Sequence, residues 1–212
     1  MKNIKIIIAN LFALLIFSFA SNAEQPYLKF GVSKLKTDYI TIDGINLKDI
    51  YADNFDVYTF TGGYNFGKFF LEGRYFKSSK ESKSGSASFL GVSVSGSTDV
   101  KFDGQSIGAG YNFQINDNFY IKPSIHYVNI DIDATINLSI AGSSYSFDTS
   151  GSDNTIEAAV AAAYKINENS EIEFVYSSYL DDVTTTKDAS TLGVNFSHKF
   201  WYFKILNKKF LN

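Results

Sequence analysis

The stretch Gly110 to Tyr127, GYNFQINDNFYIKPSIHY, constrains the fold more than any other part of the chain. It holds two alternating runs joined by Asn116-Asp117-Asn118. In the first, Ile107, Ala109, Tyr111 and Phe113 share one face, and Ser106, Gly108, Gly110 and Asn112 share the other. In the second, Phe119, Ile121, Pro123, Ile125 and Tyr127 oppose Tyr120, Lys122, Ser124 and His126. Successive side chains of an extended strand point to opposite sides, so period-two alternation across a short Asn/Asp turn reads as a β-hairpin.

The hairpin recurs along the chain. First halves end in Gly63-Tyr64-Asn65-Phe66, Gly110-Tyr111-Asn112-Phe113, Ala163-Tyr164-Lys165-Ile166 and Gly193-Val194-Asn195-Phe196. Second halves read Phe69-Phe70-Leu71-Glu72, Phe119-Tyr120-Ile121-Lys122 and Glu171-Ile172-Glu173-Phe174, and Tyr27-Leu28-Lys29-Phe30 matches them. Such repetition marks one supersecondary unit used several times. It predicts eight strands, near 27–35, 55–66, 69–78, 104–114, 119–131, 155–166, 170–179 and 190–200. A count of ten or twelve would treat the patterned loop segments described below as further barrel strands.

The connections alternate too. Residues 65–68, 114–118 and 167–169 are tight turns, whereas 36–54, 79–103, 132–154 and 180–189 are long. Short turns at one end and long loops at the other are the pattern of an up-and-down transmembrane β-barrel, and an even strand number puts both termini at the short-turn end. Two of the long segments, Phe89 to Ser97 and Ile136 to Ser143, alternate themselves. They are expected to continue the strands above the membrane as protruding hairpins.

The N-terminus fits export. Lys2 and Lys5 precede an apolar stretch from Ile6 to Phe19, followed by the small-residue site Ser21-Asn22-Ala23. This predicts a signal peptide over 1–23, cleaved after Ala23, with the barrel over 24–200 and a C-terminal extension over 201–212. Losing both lysines moves the formal charge from −3 to −5. Neither value provides a basic footprint for nucleic acid. Cysteine is absent, which excludes a disulfide framework and thiolate chemistry.

The repeated alternation requires one apolar and one polar environment. Tyr64, Phe66, Phe69, Tyr111, Phe113, Phe119 and Tyr164 lie on the apolar face beside the tight turns, as in an interfacial aromatic girdle. The opposite face is rich in Gly and Ser, small enough for the interior of an eight-stranded barrel. It also carries Glu72, Arg74, Lys122, His126, Glu157, Glu173 and Lys199. Isolated charges are costly in a narrow lumen, so these residues are expected to pair and fill the bore.

On these features, and on Tyr120-Ile121-Lys122-Pro123-Ser124, the chain resembles the small eight-stranded outer-membrane β-barrel proteins of Gram-negative bacteria. This OmpA-like group includes the opacity-type and attachment–invasion proteins. The resemblance implies a non-enzymatic barrel in the cell outer membrane, acting in adhesion, host interaction or envelope structure. A narrow pore for ions or small solutes is the alternative. Partners implied are outer-membrane lipid, periplasmic chaperones and the barrel assembly machinery during biogenesis, and a host or cell-surface ligand at loops 79–103 and 132–154. The chain is expected to be a monomer. Members usually end on a terminal aromatic; here Leu192, Val194, Phe196, His198 and Phe200 keep the spacing, but Trp201 to Asn212 follow. The extra segment is expected to be a tolerated extension, with a basic membrane-surface segment carrying Lys204, Lys208 and Lys209 as the alternative.

Candidate chemistry is sparse. Ile125-His126-Tyr127-Val128-Asn129 resembles the His-x-Ser-Asn strand of outer-membrane lipid A deacylases, but Val128 occupies the serine position and the nucleophile is missing. His126 is therefore expected to be a hydrogen-bonded lumen residue and His198 an interfacial one. Two histidines without cysteine give zinc little support. Asp131/Asp133 and Asp181-Asp182 lack calcium-loop spacing and read as solvated charge. No catalytic, cofactor-binding or metal residue is assigned. Pro123 cannot donate a ladder hydrogen bond, so a bulge or a strand-edge irregularity is expected there.

Overall fold

Residues 25–39, 41–42, 45–46, 52–89, 92–140, 142–181 and 186–200 are described by a computed structural model. Twelve strands run through them: β1 (Gln25–Tyr39), β2 (Thr41–Ile42), β3 (Ile45–Asn46), β4 (Asn54–Phe66), β5 (Phe69–Ser78) and β6 (Glu81–Phe89). The rest are β7 (Val92–Tyr111), β8 (Phe113–Gln114), β9 (Phe119–Ile140), β10 (Ser143–Lys165), β11 (Ser170–Tyr179) and β12 (Thr186–Lys199). Eight form a closed antiparallel ring in the order β1-β4-β5-β7-β9-β10-β11-β12. It closes between β1 and β12, from Tyr27↔Lys199 to Lys36↔Ser190. Closure removes edges from the ring, which is what a sheet in hydrocarbon requires.

The tight turns are built by local chemistry. Gly67 takes φ 62°, which an L side chain rarely adopts, and lets Phe66 pair directly with Phe69. The Asn116 side-chain oxygen accepts hydrogen bonds from the backbone amides of Asn118 and Phe119, each at 3.0 Å. Asn167 caps the amide of Asn169 in the same way at 2.9 Å.

The expected irregularity opposite Pro123 is a break in the ladder. Pairing of β7 with β9 stops at Gly110↔Ser124 and resumes in β8 at Phe113↔Ile121 in the same register, so no residue is inserted. The amide of Asn112 instead bonds Lys68 O at 2.7 Å.

The strands reach further than their lipid-facing alternation alone suggested. β7 starts at Val92 instead of 104, β9 continues to Ile140 instead of 131, and β10 starts at Ser143 instead of 155. Beyond the ring, the upper halves of β7 and β9 stay paired up to Val94↔Ile140, with β6 and β10 on either side. The patterned segments thus form one protruding four-stranded sheet, ordered β6-β7-β9-β10. This agrees with protruding hairpins and with eight barrel strands.

Along the ring, Phe30, Phe60, Leu71, Ile107, Ile125, Val160, Phe174 and Val194 are exposed on the outer wall. Phe69, Phe113, Tyr164 and Phe196 lie towards the tight turns, and Tyr58, Tyr75, Tyr127 and Tyr176 form a second aromatic row at the other end. From Phe119 to Tyr127 is eight residue steps, roughly 27 Å along a strand at ~3.4 Å per residue and about 20 Å across the membrane at ~40° tilt. Tyr64 is the exception on this wall, being buried with its ring 6.5 Å from Phe66.

Candidate functional site

Two regions carry the chemistry of the chain: the lumen and the protruding sheet. In the lumen, the side chains opposite the apolar wall form two ionic groups, one joining Lys29, Glu72, Lys122, Glu171, Glu173 and Lys199 and the other pairing Arg74 with Glu157. Lys29 Nζ lies 2.9 Å from Glu72 Oε2 and 3.2 Å from Glu173 Oε2. Lys122 Nζ donates to Glu171 Oε1 at 2.7 Å and to Glu173 Oε1 at 2.5 Å, and Lys199 reaches Glu171 Oε2 at 3.2 Å. Arg74 makes a two-pronged contact with Glu157, through Nη1 at 3.1 Å and through Nη2, while its Nε donates to Ser106 Oγ at 3.0 Å. The planar guanidinium suits this geometry, which a lysine could not reproduce.

Four cations thus meet four carboxylates, and the network is neutral when His126 is neutral. Charges withdrawn from water are tolerable only when paired and hydrogen-bonded, and here each one is. Tyr27 donates to Glu72 Oε2 at 2.9 Å, and Asn195 donates to Glu173 Oε2 at 3.3 Å. Phe70 stands below the network with the ammonium groups of Lys29 and Lys122 each 5.5 Å from its ring centroid. An internal cavity of about 60 Å³ remains between Lys29, Glu72, Arg74, His126 and Glu157, room for roughly two waters.

Above this network the lumen turns apolar. Leu35, Phe55, Val57, Phe76, Phe102, Val128, Ile130 and Ala189 pack into one buried cluster, with Tyr179 against it. Phe55 and Phe102 meet edge-on at 5.3 Å. Inward positions are polar at mid-barrel and apolar at the long-loop end, so the alternation persists while the identity of its two faces reverses.

The reversal continues into the protruding sheet. Ile132, Ala134, Ile136, Leu138 and Ile140 of β9 lie on its inner face, beside exposed Phe147 and Tyr145 of β10. The outer face carries cross-strand rows of small polar residues, such as Ser84-Ser97-Asn137-Ser146 and Ser82-Asp99-Thr135-Asp148. Ser146 donates to Asn137 Oδ1 at 2.8 Å and Thr135 to Asp148 Oδ1 at 2.8 Å. Lys80, 2.7 Å from Asp99, and the Ser82 hydroxyl hold the Asp99 carboxyl below the usual carboxylate range. The outer wall is therefore apolar along the ring and hydroxyl-rich above it, with the change falling between Tyr127 and Asp131 on β9.

All seven inward residues expected from the alternation face the lumen: Glu72, Arg74, Lys122, His126, Glu157, Glu173 and Lys199. Lys29 and Glu171 complete the network and were not singled out, although each sits opposite an apolar wall residue by the same parity. His126 Nε2 lies 3.1 Å from Ser124 Oγ and 3.6 Å from Glu72 Oε1. Its neighbour Val128 is buried in the apolar cluster. His198 pairs with Ser170 Oγ through Nδ1 at 3.0 Å and meets Phe200 edge-on at 5.1 Å. Asp133 pairs with Lys101 at 3.5 Å. Asp181 is exposed, and Asp182 lies outside the described residues. Among the described residues, no group of three or more His, Cys, Asp or Glu is arranged to hold a metal ion. The predicted signal peptide and the 201–212 extension also lie outside the described residues.

Residues 10–200 match the family described as "Outer membrane protein beta-barrel domain". No curated protein matches the chain. Among solved structures, Neisserial surface protein A is similar at TM-score 0.54 and 16% identity, covering 82% of this chain and 97% of its own. The outer membrane protein OprG of Pseudomonas aeruginosa follows at TM-score 0.49 and 12% identity, over 84% of this chain and 97% of its own. The attachment invasion locus protein Ail of Yersinia pestis aligns at TM-score 0.48 and 15% identity, over 83% of this chain and 98% of its own. A closed eight-stranded ring with an apolar outer wall and a paired polar lumen, matched by that family over most of its length, places this protein in the outer membrane and makes it a member of the outer-membrane β-barrel family.

Proposed function

We propose that this barrel is a non-enzymatic surface protein whose protruding sheet makes contact with a ligand outside the cell, in adhesion or host interaction. The observation that carries this reading is the β6-β7-β9-β10 sheet itself. It extends the barrel wall beyond the upper aromatic row as ordered structure with one hydroxyl-rich and one apolar face. Family barrels are generally non-enzymatic, and the missing nucleophile beside His126 agrees with that. On this reading residues 1–23 are a cleaved signal peptide, and the mature chain reaches the membrane through periplasmic chaperones and the assembly machinery as a monomer. The lumen favours an anchor over a pore, because the network is fully paired and an apolar cluster lies across its outer end.

The test replaces residues 81–99 and 134–149 by short turns in the full chain. Bacteria displaying the shortened protein should lose adherence to host cells, while the barrel keeps its heat-modifiable migration on gels. Undiminished adherence with a folded barrel would reject the reading.

A further inference from the structure

The outer face of the protruding sheet continues, strand by strand, the wall that meets lipid below it. The outward side chain changes from Ile107 to Gln105 on β7, from Tyr127 to Asn129 on β9 and from Ile156 to Asn154 on β10. Gln105, Asn129 and Asn154 stand side by side in register, so the three strands leave the hydrocarbon at one level. From Asn129 to Asn137 is eight further residue steps, roughly 27 Å along the strand at ~3.4 Å per residue. The outer leaflet of an outer membrane is built from glycolipid, whose sugar chains begin where the hydrocarbon ends. The outer face of the sheet therefore stands in that sugar layer.

Its side chains suit such surroundings. Two rows, Ser84-Ser97-Asn137-Ser146 and Ser86-Ser95-Ser139-Ser144, cross the four strands and carry no charge. Ser84, Ser86, Ser95, Ser144 and Ser146 are exposed. Each hydroxyl can donate one hydrogen bond and accept two, and an asparagine amide does both, which matches the needs of a sugar hydroxyl. Neighbouring strands lie ~4.8 Å apart, about the spacing of successive sugars in an extended chain. A face turned to water usually carries long charged side chains. Here the outward positions between Ser95 and Gln105, Asn129 and Ser139, and Ser144 and Asn154 hold Lys101 as the one lysine, arginine or glutamate. Short side chains lose little rotamer freedom when a polymer settles on them.

We propose that this outer face binds the uncharged sugar chains of the glycolipid around the barrel, leaving the apolar inner face for a ligand. Charge selects the uncharged chain. Below the two rows, Lys80 is engaged with Asp99 at 2.7 Å and Lys101 with Asp133 at 3.5 Å, and Asp148 accepts from Thr135 at 2.8 Å. A phosphorylated or sulfated chain would meet these carboxylates beside cations that already have partners. The inner face suits sugar less, because at the same level it presents Ile136, Leu138, Tyr145 and Phe147. The inference goes beyond the surface-contact reading and does not depend on it, since the sugar belongs to the protein's own membrane.

The chain has no cysteine, so one introduced thiol reports on one face. Ser146→Cys places it on the outer face and Phe147→Cys on the inner face, at adjacent exposed positions of β10. Each variant, as the full chain, is reconstituted in liposomes containing lipopolysaccharide with a long uncharged polysaccharide, or the same glycolipid truncated before it. Heat-modifiable migration confirms folding, and Ser144→Cys with Tyr145→Cys repeats the comparison should either variant misfold. Labelling by a bulky maleimide should be at least tenfold slower at Ser146→Cys with the long chain and unchanged at Phe147→Cys. Ser97→Ala with Asn137→Ala, added to Ser146→Cys, should restore most of the lost rate. A long acidic polysaccharide should protect Ser146→Cys at least threefold less than the uncharged one. Equal slowing on both faces overturns the proposal, since crowding alone then explains it. Unchanged labelling of Ser146→Cys overturns it too, as does protection that survives Ser97→Ala with Asn137→Ala, or equal protection by the acidic chain. Adherence is not measured here, so failure of this proposal leaves the surface-contact reading standing.

Discussion

His126 shows how tightly the lumen is built. Its imidazole is almost fully buried, with Ser124 Oγ and Glu72 Oε1 on the Nε2 side and Gly108 directly across the strand pair. A Cβ on Gly108 would sit 2.1 Å from Nδ1 and 2.5 Å from Cε1, so the glycine is what admits the ring. Gly108→Ala should therefore destabilise the barrel by about 1–3 kcal/mol, the usual cost of overpacking. Adding His126→Ala should recover most of that loss, because the clash disappears. Urea unfolding in lipid vesicles reads both effects, and full stability of the single variant would contradict the packing described. The inward direction of His126 was legible from alternation alone. Its partner was not, because a glycine on a small-residue face does not announce which bulky group crosses to meet it. Lys29 and Glu171 were open to the same parity argument, but their ion pairs join residues far apart in sequence.

At the scale of the element, period-two patterning located the eight ring strands closely, since a wall between lipid and a packed lumen demands it. It mis-set the upper ends of β7, β9 and β10. There the outer face changes from Tyr and Ile to Ser, Asn and Asp while the inner face becomes apolar, so the lipid signature stops although the strand does not. The alternation of Ile136 to Ser143 did signal a continuing strand. What it could not show is that two separate protruding segments pair with each other through β7 and β9, a contact between residues about 46 positions apart at Val94↔Ile140. This pairing predicts dependence. Replacing 134–149 by a tight turn removes the partner of Val94–Val100 and leaves β6–β7 as a lone two-stranded hairpin, which is at best marginal in water. Trypsin on intact cells should then cleave at Lys83, which β7 and β9 together protect in the full protein. Equal resistance at Lys83 in both proteins would show that the β6–β7 hairpin stands by itself.

For the whole molecule, an eight-stranded ring is near the size at which side chains fill the interior, and this one is filled in two chemically different layers. Mid-barrel, four cations and four carboxylates cancel, and each charge sits within hydrogen-bonding or ion-pairing range of an opposite one. Towards the cell exterior, Phe55, Phe76, Phe102, Val128 and Ile130 form a buried apolar layer. An ion crossing the barrel would have to break the first layer and shed water at the second, where hydrophobic constrictions block passage by excluding water. The layers act in series, so removing either one alone should not open a path. The protein in planar bilayers is therefore expected to show no steady conductance. Arg74→Ala combined with Glu157→Ala keeps net charge constant and widens the polar layer, and should stay silent behind the apolar one. Phe102→Ser with Val128→Ser wets the outer layer, and should stay silent above an intact network. Only the combination of all four substitutions should give resolved single-channel steps. Conductance from the unaltered protein, or from the Arg74/Glu157 pair alone, would mean that the apolar layer does not seal the lumen.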